Sequence, residues 1–414
     1  MKILLLDHPQ FTHSTWMLYE GLVRVLGRDS VTLFPSKPLF DGKYPSVVMK
    51  LMDIRWYRDV YKNLQNLPAG IPPLSSGESL TANDERVQLF AFCPVPPSTD
   101  KTDQISIDED EVIELLNLNH YDLIVLGNSH RVPTIALARL RDRCKSLPPI
   151  IYFDAGERDE FNAHWWHVFR PALVFKSTVT PEVMSKIGSP AVPCELFPMP
   201  LSHPTVLCKD NIEYQLEDSD FRNRDIHLVS SFGPTWPMRE IVQQRVEQVC
   251  SQMSITSNKQ FNAILSGYSS GQLSQSKIAV SMRGSGRDTE RYWEMPARGA
   301  AMIADGTMGC VHPFPFRSDE HAVFYRNLEE LESSILCLIN DDEKRISIAK
   351  AGHEHIKRFH SIEGRTLFFL GIIKQQIGIN YTDIQSARLE RWYTELGWDS
   401  YLPDWKGPVV GYDE

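Results

Sequence analysis

Short apolar runs alternate along this chain with longer segments whose apolar residues recur at three- and four-residue spacing. Residues 2–7 form an apolar run closed by Asp7, residues 14–26 carry a helical period, and residues 31–34 form a second run, which predicts a β-α-β opening. Residues 36–110 break the rhythm with Pro/Ser/Gly clusters and an acidic run at 107–111, and read as an insertion in the first domain. The alternation resumes with an apolar run at 121–127, a helix over 133–143, and strands at 149–153, 173–175 and 194–197. Strands this short and this uniformly apolar, separated by helices, belong to a parallel sheet covered on both faces.

Residues 202–224 are polar and charge-mixed and follow neither period, which places an interdomain linker at 201–225. Beyond it the same grammar returns, with strands at 226–230, 261–265, 277–281, 300–304 and 322–325 and helices at 237–252, 289–298, 328–339 and 343–359. Helices over 362–377 and 386–396 lead into a terminus rich in aromatics, Trp392, Tyr393, Trp398, Tyr401 and Trp405. Such side chains suit burial against another surface, either the first domain or a homodimer interface. The expected organisation is an α/β protein of two doubly wound domains, 1–200 and 226–375, with a helical tail, 376–414, packed back on the first.

A length of 414 residues fits two cores better than one. The formal charge of -10 opposes the broad phosphate contacts of a nucleic-acid partner. Seven cysteines, an odd number without CxxC pairs or zinc spacing, read as reduced thiols of a cytoplasmic protein and give no metal site. The opening MKILLLD is too short an apolar stretch for a signal peptide, and no run of 18 apolar residues suggests a membrane span.

In facing parallel sheets, ligands gather at the carboxyl ends of strands, where helix N-termini offer free N–H groups. Two loops of the second domain stand out there. One is SSFGPT at 230–235, containing Gly233 and followed by Arg239 on a helix. The other is SMRGSGR at 281–287, followed by DTERYWE at 288–294. Its glycines admit close approach of a ligand, and Arg283, Arg287 and Arg291 carry guanidinium groups suited to a diphosphate. The GxxxxGK[ST] pattern of ATP-binding loops is absent. Solvated surface arginines, and a surface ion pair between Arg291 and Glu294 one helical turn on, are the competing accounts.

The segment 276–365 reads SKIAVSMRGSGRDTERYWEMPARGAAMIAD, then DEHAVFY, then EELESSILCLINDDEKRISIAKAGHEHIKRFH and Arg365. In its order of parts it resembles the C-terminal lobe of group 1 glycosyltransferases, above all the subgroup that includes the spore-maturation type. That resemblance implies the GT-B fold of two Rossmann-like domains. It also implies a nucleotide-sugar donor, UDP- or GDP-linked, as co-substrate without a further cofactor, with Glu294 holding the ribose hydroxyls and Glu320 beside the donor sugar. Where the broader retaining families carry a second glutamate eight residues before the first, this chain has Gly286. In the first domain, IYFDAGERD at 151–159 and Phe175-Lys176 are similar to a D-G-E-D loop and an F-K pair of some bacterial relatives.

Asp154 ends an apolar run and is a candidate to orient or deprotonate an acceptor hydroxyl, with capping of the next helix as the alternative. His8, His13 and His130 follow strand exits and are candidates for the same side of the reaction. Asp218-Ser-Asp220 spells the D-x-D of metal-dependent glycosyltransferases but falls in the linker, so transfer is expected to need no metal, arginines replacing the cation. The sequence thus reads as a metal-independent glycosyltransferase with an unidentified acceptor. A nucleotide-sugar epimerase and a nucleotide-binding relic without catalysis are the alternatives.

Overall fold

The computed structural model describes residues 1–7, 13–34, 108–127, 131–156, 159–200, 216–230, 236–255, 257–258, 273–284, 286–398 and 409–410. Most of the expected insertion and linker, and the expected strand at 261–265, lie outside them.

The first lobe is a six-stranded parallel sheet of β1 (Ile3–Leu6), β2 (Val31–Phe34), β3 (Leu123–Gly127), β4 (Ile150–Asp154), β5 (Leu173–Lys176) and β6 (Leu196–Pro198), in the order β2-β1-β3-β4-β5-β6. Five helices accompany it in the described residues: α1 (His13–Leu26), α2 (Glu109–Asn117), α3 (Arg131–Arg143), α4 (Ala163–Phe169) and α5 (Pro181–Met184). Side chains of a strand alternate between faces, and here both faces are apolar. Ile3, Leu5, Leu123, Val125, Ile151 and Phe153 enter the core under α1, while Leu4, Leu6, Ile124, Leu126, Ile150 and Tyr152 enter the core under α2 and α3. This double burial is why the strands read as unbroken apolar runs.

The second lobe repeats the plan. It opens with α6 (Asp218–Arg222) and contains β7 (Ile226–Val229), α7 (Met238–Met253), β8 (Ser257–Asn258), β9 (Ser276–Ser281), α8 (Glu290–Ala297), β10 (Ala301–Asp305), β11 (Val311–His312), β12 (Val323–Tyr325), α9 (Leu328–Asn340) and α10 (Asp342–His355). Its parallel sheet runs β12-β10-β9-β7-β8, and β11 pairs separately and antiparallel with β13 (Val409–Val410). The expected linker is in part structure. Phe221 of α6 lies in the second core, and the Arg224 guanidinium donates to the carbonyls of Leu273, Ser276 and Arg298. A five-residue amphipathic helix is too short to register as a period.

After α10 a π turn, Ile356–His360, leads into α11 (Ile362–Ile377), and the tail helix α12 (Asp383–Glu395) follows. The sequence reading assigned most of α11 to the second domain; its side chains belong to the first. Ile362, Leu367, Phe368, Phe369, Leu370, Ile372 and Ile373 share a core with β1, β3, β4 and α1. Gly21 of α1 meets it closely, for a Cβ there would stand 1.9 Å from Thr366 Oγ1 and 3.0 Å from the carbonyl oxygen of Ile362. Arg24 of α1 donates to Glu20 and, at 2.6 Å, to Glu363 Oε1. The tail docks on the same lobe, as expected: Leu389, Tyr393 and Trp398 join that core, and Gln385 bonds both to the chain's first ammonium and to the Met1 carbonyl. No helix among the described residues is long and apolar enough to cross a membrane.

The lobes are joined by more than the covalent chain. Val311 of β11 packs into the first lobe and its N–H donates to the carbonyl of Val179 at 2.8 Å. Behind it, Trp293, His312, Phe316, His355 and His360 form one aromatic cluster, with ring centroids 4.6 Å apart for Trp293 and His360 and 5.0 Å for Trp293 and His312. Burial lowers all three of these imidazoles, His312 to about 3 with Arg365 as the neighbouring charge, His355 to about 3 beside His321, and His360 well below its ordinary value.

Two stability predictions follow from these contacts. Gly21→Val forces α1 off α11 and is expected to lower unfolding stability by about 1–3 kcal/mol, read from thermal or urea melts. Because the folded imidazoles titrate below their unfolded value of about 6.5, the unfolded chain binds more protons as pH falls through that value. Stability is therefore full above it and declines between about pH 6.5 and 3, with a slope of about 1.4 kcal/mol per pH unit for each buried histidine. Melts across that range check it, and His312→Phe is expected to make the decline shallower.

Candidate functional site

The carboxyl ends of β7 and β9 define one wall of the site. Ser230 follows β7, and Ser281 closes β9, which pairs with β7 in parallel. Both hydroxyls are buried without a hydrogen-bond partner among the described residues. Thr289 precedes α8 with an extended backbone, yet its side chain does not cap the helix and its hydroxyl is likewise buried and unpartnered. Buried polar atoms are normally satisfied, so three unsatisfied hydroxyls at one strand edge and one helix start mark a polar seat rather than a packed loop.

Three cations lie on or against the segments that carry these hydroxyls. The Arg239 guanidinium donates to the carbonyls of Arg283 and Met282, at 2.8 and 3.0 Å, which ties α7 to the loop after β9. Arg283 lies over the ring of Trp236, its Cζ 4.4 Å from the centroid, and its Nε is buried without a partner. Arg291 donates to Glu294 Oε2 at 2.5 Å. Burial, with the like charge of Arg291 nearby, lowers the Arg239 guanidinium from its ordinary value. Arg291 in the first turn of α8, where the helix dipole is positive, with Arg239 near enough to feel its charge, favours an anion.

Arg287 takes a different position from the one expected. Its Nε donates to Asp159 Oδ2 at 2.6 Å and its Nη1 to the Met308 carbonyl at 2.6 Å, so it spans the lobes instead of joining Arg239, Arg283 and Arg291. Asp159 lies in the loop after β4, and this contact brings the carboxyl edges of the two sheets together.

On the first-lobe side Asp154, the last residue of β4, stands in register with Lys176, the last residue of β5. Lys176 Nζ is 3.1 Å from Asp154 Oδ2, and its side chain is only 1% exposed. The other oxygen of Asp154 accepts from the Gly156 N–H at 3.1 Å, and Ser177 Oγ donates to the Gly156 carbonyl at 3.2 Å. The next helix, α4, is capped by Asn162, whose side chain accepts from the His164 N–H, so Asp154 is not a helix cap. It is a carboxylate held by a buried ammonium at the interlobe edge.

Glu320 is not brought to this group. Its carboxylate accepts from Arg317 and lies 3.4 Å from His321 Nε2, and neighbouring Asp319 pairs with Lys344 on α10. A chain entering a parallel strand must return to the amino edge of the sheet. Val323, just beyond, pairs with Ile303, which puts residues 319–320 towards the edge opposite the seat. Gly233, His8 and His130 lie outside the described residues, and His13 begins α1 with its side chain outside them. Asp218 pairs with Lys350, and Asp220 completes a capping box with Glu217, so the D-x-D spelling serves the start of α6. Lys176 and Asp159 entered the sequence reading only through the F-K pair and the loop at 151–159, and Ser230, Ser281 and Thr289 only as members of the loops at 230–235 and 281–294, none with a role of its own.

Residues 218–371 match the family model described as glycosyl transferase-like, a span that holds Arg239, Arg283, Arg287, Arg291 and Glu294. No curated protein matches significantly. Among solved structures, similarity extends to the Anabaena protein HepE in complex with UDP, at 14% identity over 91% of this chain and 100% of that one, TM-score 0.45. It extends also to a glycosyltransferase from Rickettsia africae, at 10% identity over 66% of this chain and 81% of that one, TM-score 0.42. Sucrose-phosphate synthase from Thermosynechococcus elongatus matches at 14% identity over 65% of this chain and 78% of that one, TM-score 0.36.

Removing the ammonium that faces Asp154 leaves a largely buried carboxylate uncompensated. Lys176→Met is expected to cost about 3 kcal/mol of stability, and Asp154→Asn in the same chain to recover much of it, because the pair and not either residue is what the fold tolerates. A double-mutant cycle on urea midpoints measures the coupling.

Proposed function

We propose that the protein transfers a sugar from a nucleotide-diphosphate sugar, UDP- or GDP-linked, to an acceptor held at the first-lobe edge, without a metal ion. The observation that carries this reading is that the segments after β7 and β9 and at the start of α8 bear the hydroxyls of Ser230, Ser281 and Thr289, unpartnered among the described residues, together with Arg283 and Arg291, and that Arg239 bonds to the Arg283 carbonyl. Diphosphate oxygens satisfy both the guanidinium groups and the hydroxyls. Glu294, engaged with Arg291 through one oxygen, offers the other to ribose hydroxyls. The order of motifs in the glycosyl transferase-like segment follows group 1 enzymes of the spore-maturation kind.

In transfer, the leaving diphosphate gains negative charge, and preorganised cations offset that charge without reorganising. Here the arginines do the work that a divalent cation does elsewhere. Opposite them, Asp154 is oriented by Lys176 and stands at the edge that Asp159 and Arg287 bring against the donor loop. It accepts the proton of the acceptor hydroxyl, His13 and His130 being the other first-lobe candidates.

Calorimetric titration with UDP and GDP tests the seat. One of the two is expected to bind the wild type, and Arg291→Ala and Glu294→Ala are each expected to weaken it by about 10- to 100-fold, the worth of a charge-assisted hydrogen bond. Donor consumption by Arg291→Ala is expected to fall by about 10²- to 10³-fold and wild-type activity to survive a chelator. Unchanged nucleotide affinity in both variants sinks the assignment, and conversion of the donor into a new sugar nucleotide without acceptor identifies an epimerase instead.

A further inference from the structure

Arg365 carries a charge that the surrounding fold does not satisfy. It is 1% exposed, and none of its three guanidinium nitrogens has a hydrogen-bond partner among the described residues. A cation buried in this way is destabilising unless it acts on something nearby. It lies over the face of Trp293, its Cζ 5.0 Å from the ring centroid. Trp293 is fully buried, and its indole N–H donates to Asp288 Oδ1 at 2.7 Å.

The indole therefore stands between a buried cation on its ring face and a buried carboxylate at its N–H. Both contacts polarise the ring in the same sense, since the π face is negative and the N–H edge positive. The other basic side chains packed on Trp293 are His312 and His360, both held neutral by burial, so Arg365 supplies the positive charge there. Asp288 is the carboxylate that favours the charged guanidinium, although burial lowers it to about 9.

Asp288 occupies a decisive place in the chain. It directly follows Arg287, which reaches across to Asp159, and directly precedes Thr289 at the start of the helix that bears Arg291 and Glu294. Arg365, by contrast, sits on α11, whose apolar side chains lie in the first-lobe core. The chain Arg365, Trp293, Asp288 thus runs from a first-lobe helix to the turn that opens α8.

We propose that Arg365 is a positioning residue for the diphosphate seat, holding Asp288 through Trp293 so that the turn from Arg287 to Thr289 presents its donors to a nucleoside diphosphate. This rests on the donor reading above. It accounts for a cation whose own surroundings give it no stabilising bond.

The test combines melting curves with UDP and GDP titrations on the wild type, Arg365→Met, Asp288→Asn and the double variant. Methionine fills the volume without a buried charge, so Arg365→Met is expected to melt at or above the wild-type temperature. Its nucleotide affinity is expected to fall by about ten-fold, and the double variant to bind no more weakly than the weaker single, because both changes break one chain of contacts. Arg365→Met melting lower with nucleotide affinity unchanged assigns the residue to structure alone and overturns the proposal, as do additive losses in the double variant. Should Arg365→Met not fold, Trp293→Phe keeps the ring and deletes the N–H. Weakened nucleotide binding then supports the proposal and unchanged binding overturns it. A wild type that binds neither nucleotide overturns the donor reading itself, a failure seen before any variant is compared.

Discussion

A helix buried on nearly every side must be enclosed by something, and α11 is enclosed by the lobe that precedes the linker, not by the lobe it directly follows. Twelve of its 16 residues are buried, among them Glu363 and Arg365 as well as the apolar set. Gly21 admits it against α1, and Arg24 fixes its first turn through Glu363. The chain therefore has to cross back at the π turn, and that crossing fixes how the two sheets meet. With α11 in the first core and Val311 hydrogen-bonded to Val179, the carboxyl ends of β4 and β9 come close enough for Asp159 and Arg287 to touch.

The opposed edges are chemically unlike. The second-lobe edge carries several cations, Arg239 on carbonyl oxygens and Arg291 on Glu294, and buried hydroxyls that are unpaired among the described residues. The first-lobe edge is a neutralised pair, Asp154 with Lys176, locked by the Gly156 turn. One side thus is rich in cationic donors, and the other has an oriented carboxylate whose charge is already balanced. An anionic leaving group on one side and a proton acceptor on the other is the division of labour that group transfer between two substrates requires.

Much of this was legible in the sequence because parallel strands buried on both faces leave unbroken apolar runs, as in ILLL, LIVLG and SKIAVS. The segments that carry Arg239, Arg283, Arg291 and Glu294 were legible too, since all follow strand ends, and the structure puts Arg239 on the Arg283 carbonyl and Arg291 beside Glu294. What failed was everything set by partners distant in sequence. Periodicity showed that 362–377 is buried but not in which lobe, and composition showed three arginines near one loop but not that Arg287 faces Asp159, 128 residues away. The resemblance implied a place beside a donor sugar for Glu320, yet the return path into β12 takes it to the other edge. Lys176 was legible as half of an F-K pair, but not as the buried partner of Asp154, because the last residue of an apolar strand, LVFK, reads as a boundary.

The position of Arg287 bears on how the proposed donor would enter. Its partner Asp159 is 38% exposed and Arg287 itself 25%, so solvent screens the pair, and such pairs contribute about 1 kcal/mol or less. A charge-assisted bond to a diphosphate oxygen is worth about 1.5–3 kcal/mol. Under the proposed donor reading that balance would favour exchange of Asp159 for phosphate, whereas the pair of Lys176 and Asp154 is nearly closed to solvent. One ion pair across the lobes is thus weak enough to yield to a ligand, and the pair within the first lobe is sequestered enough to stay in place while it does.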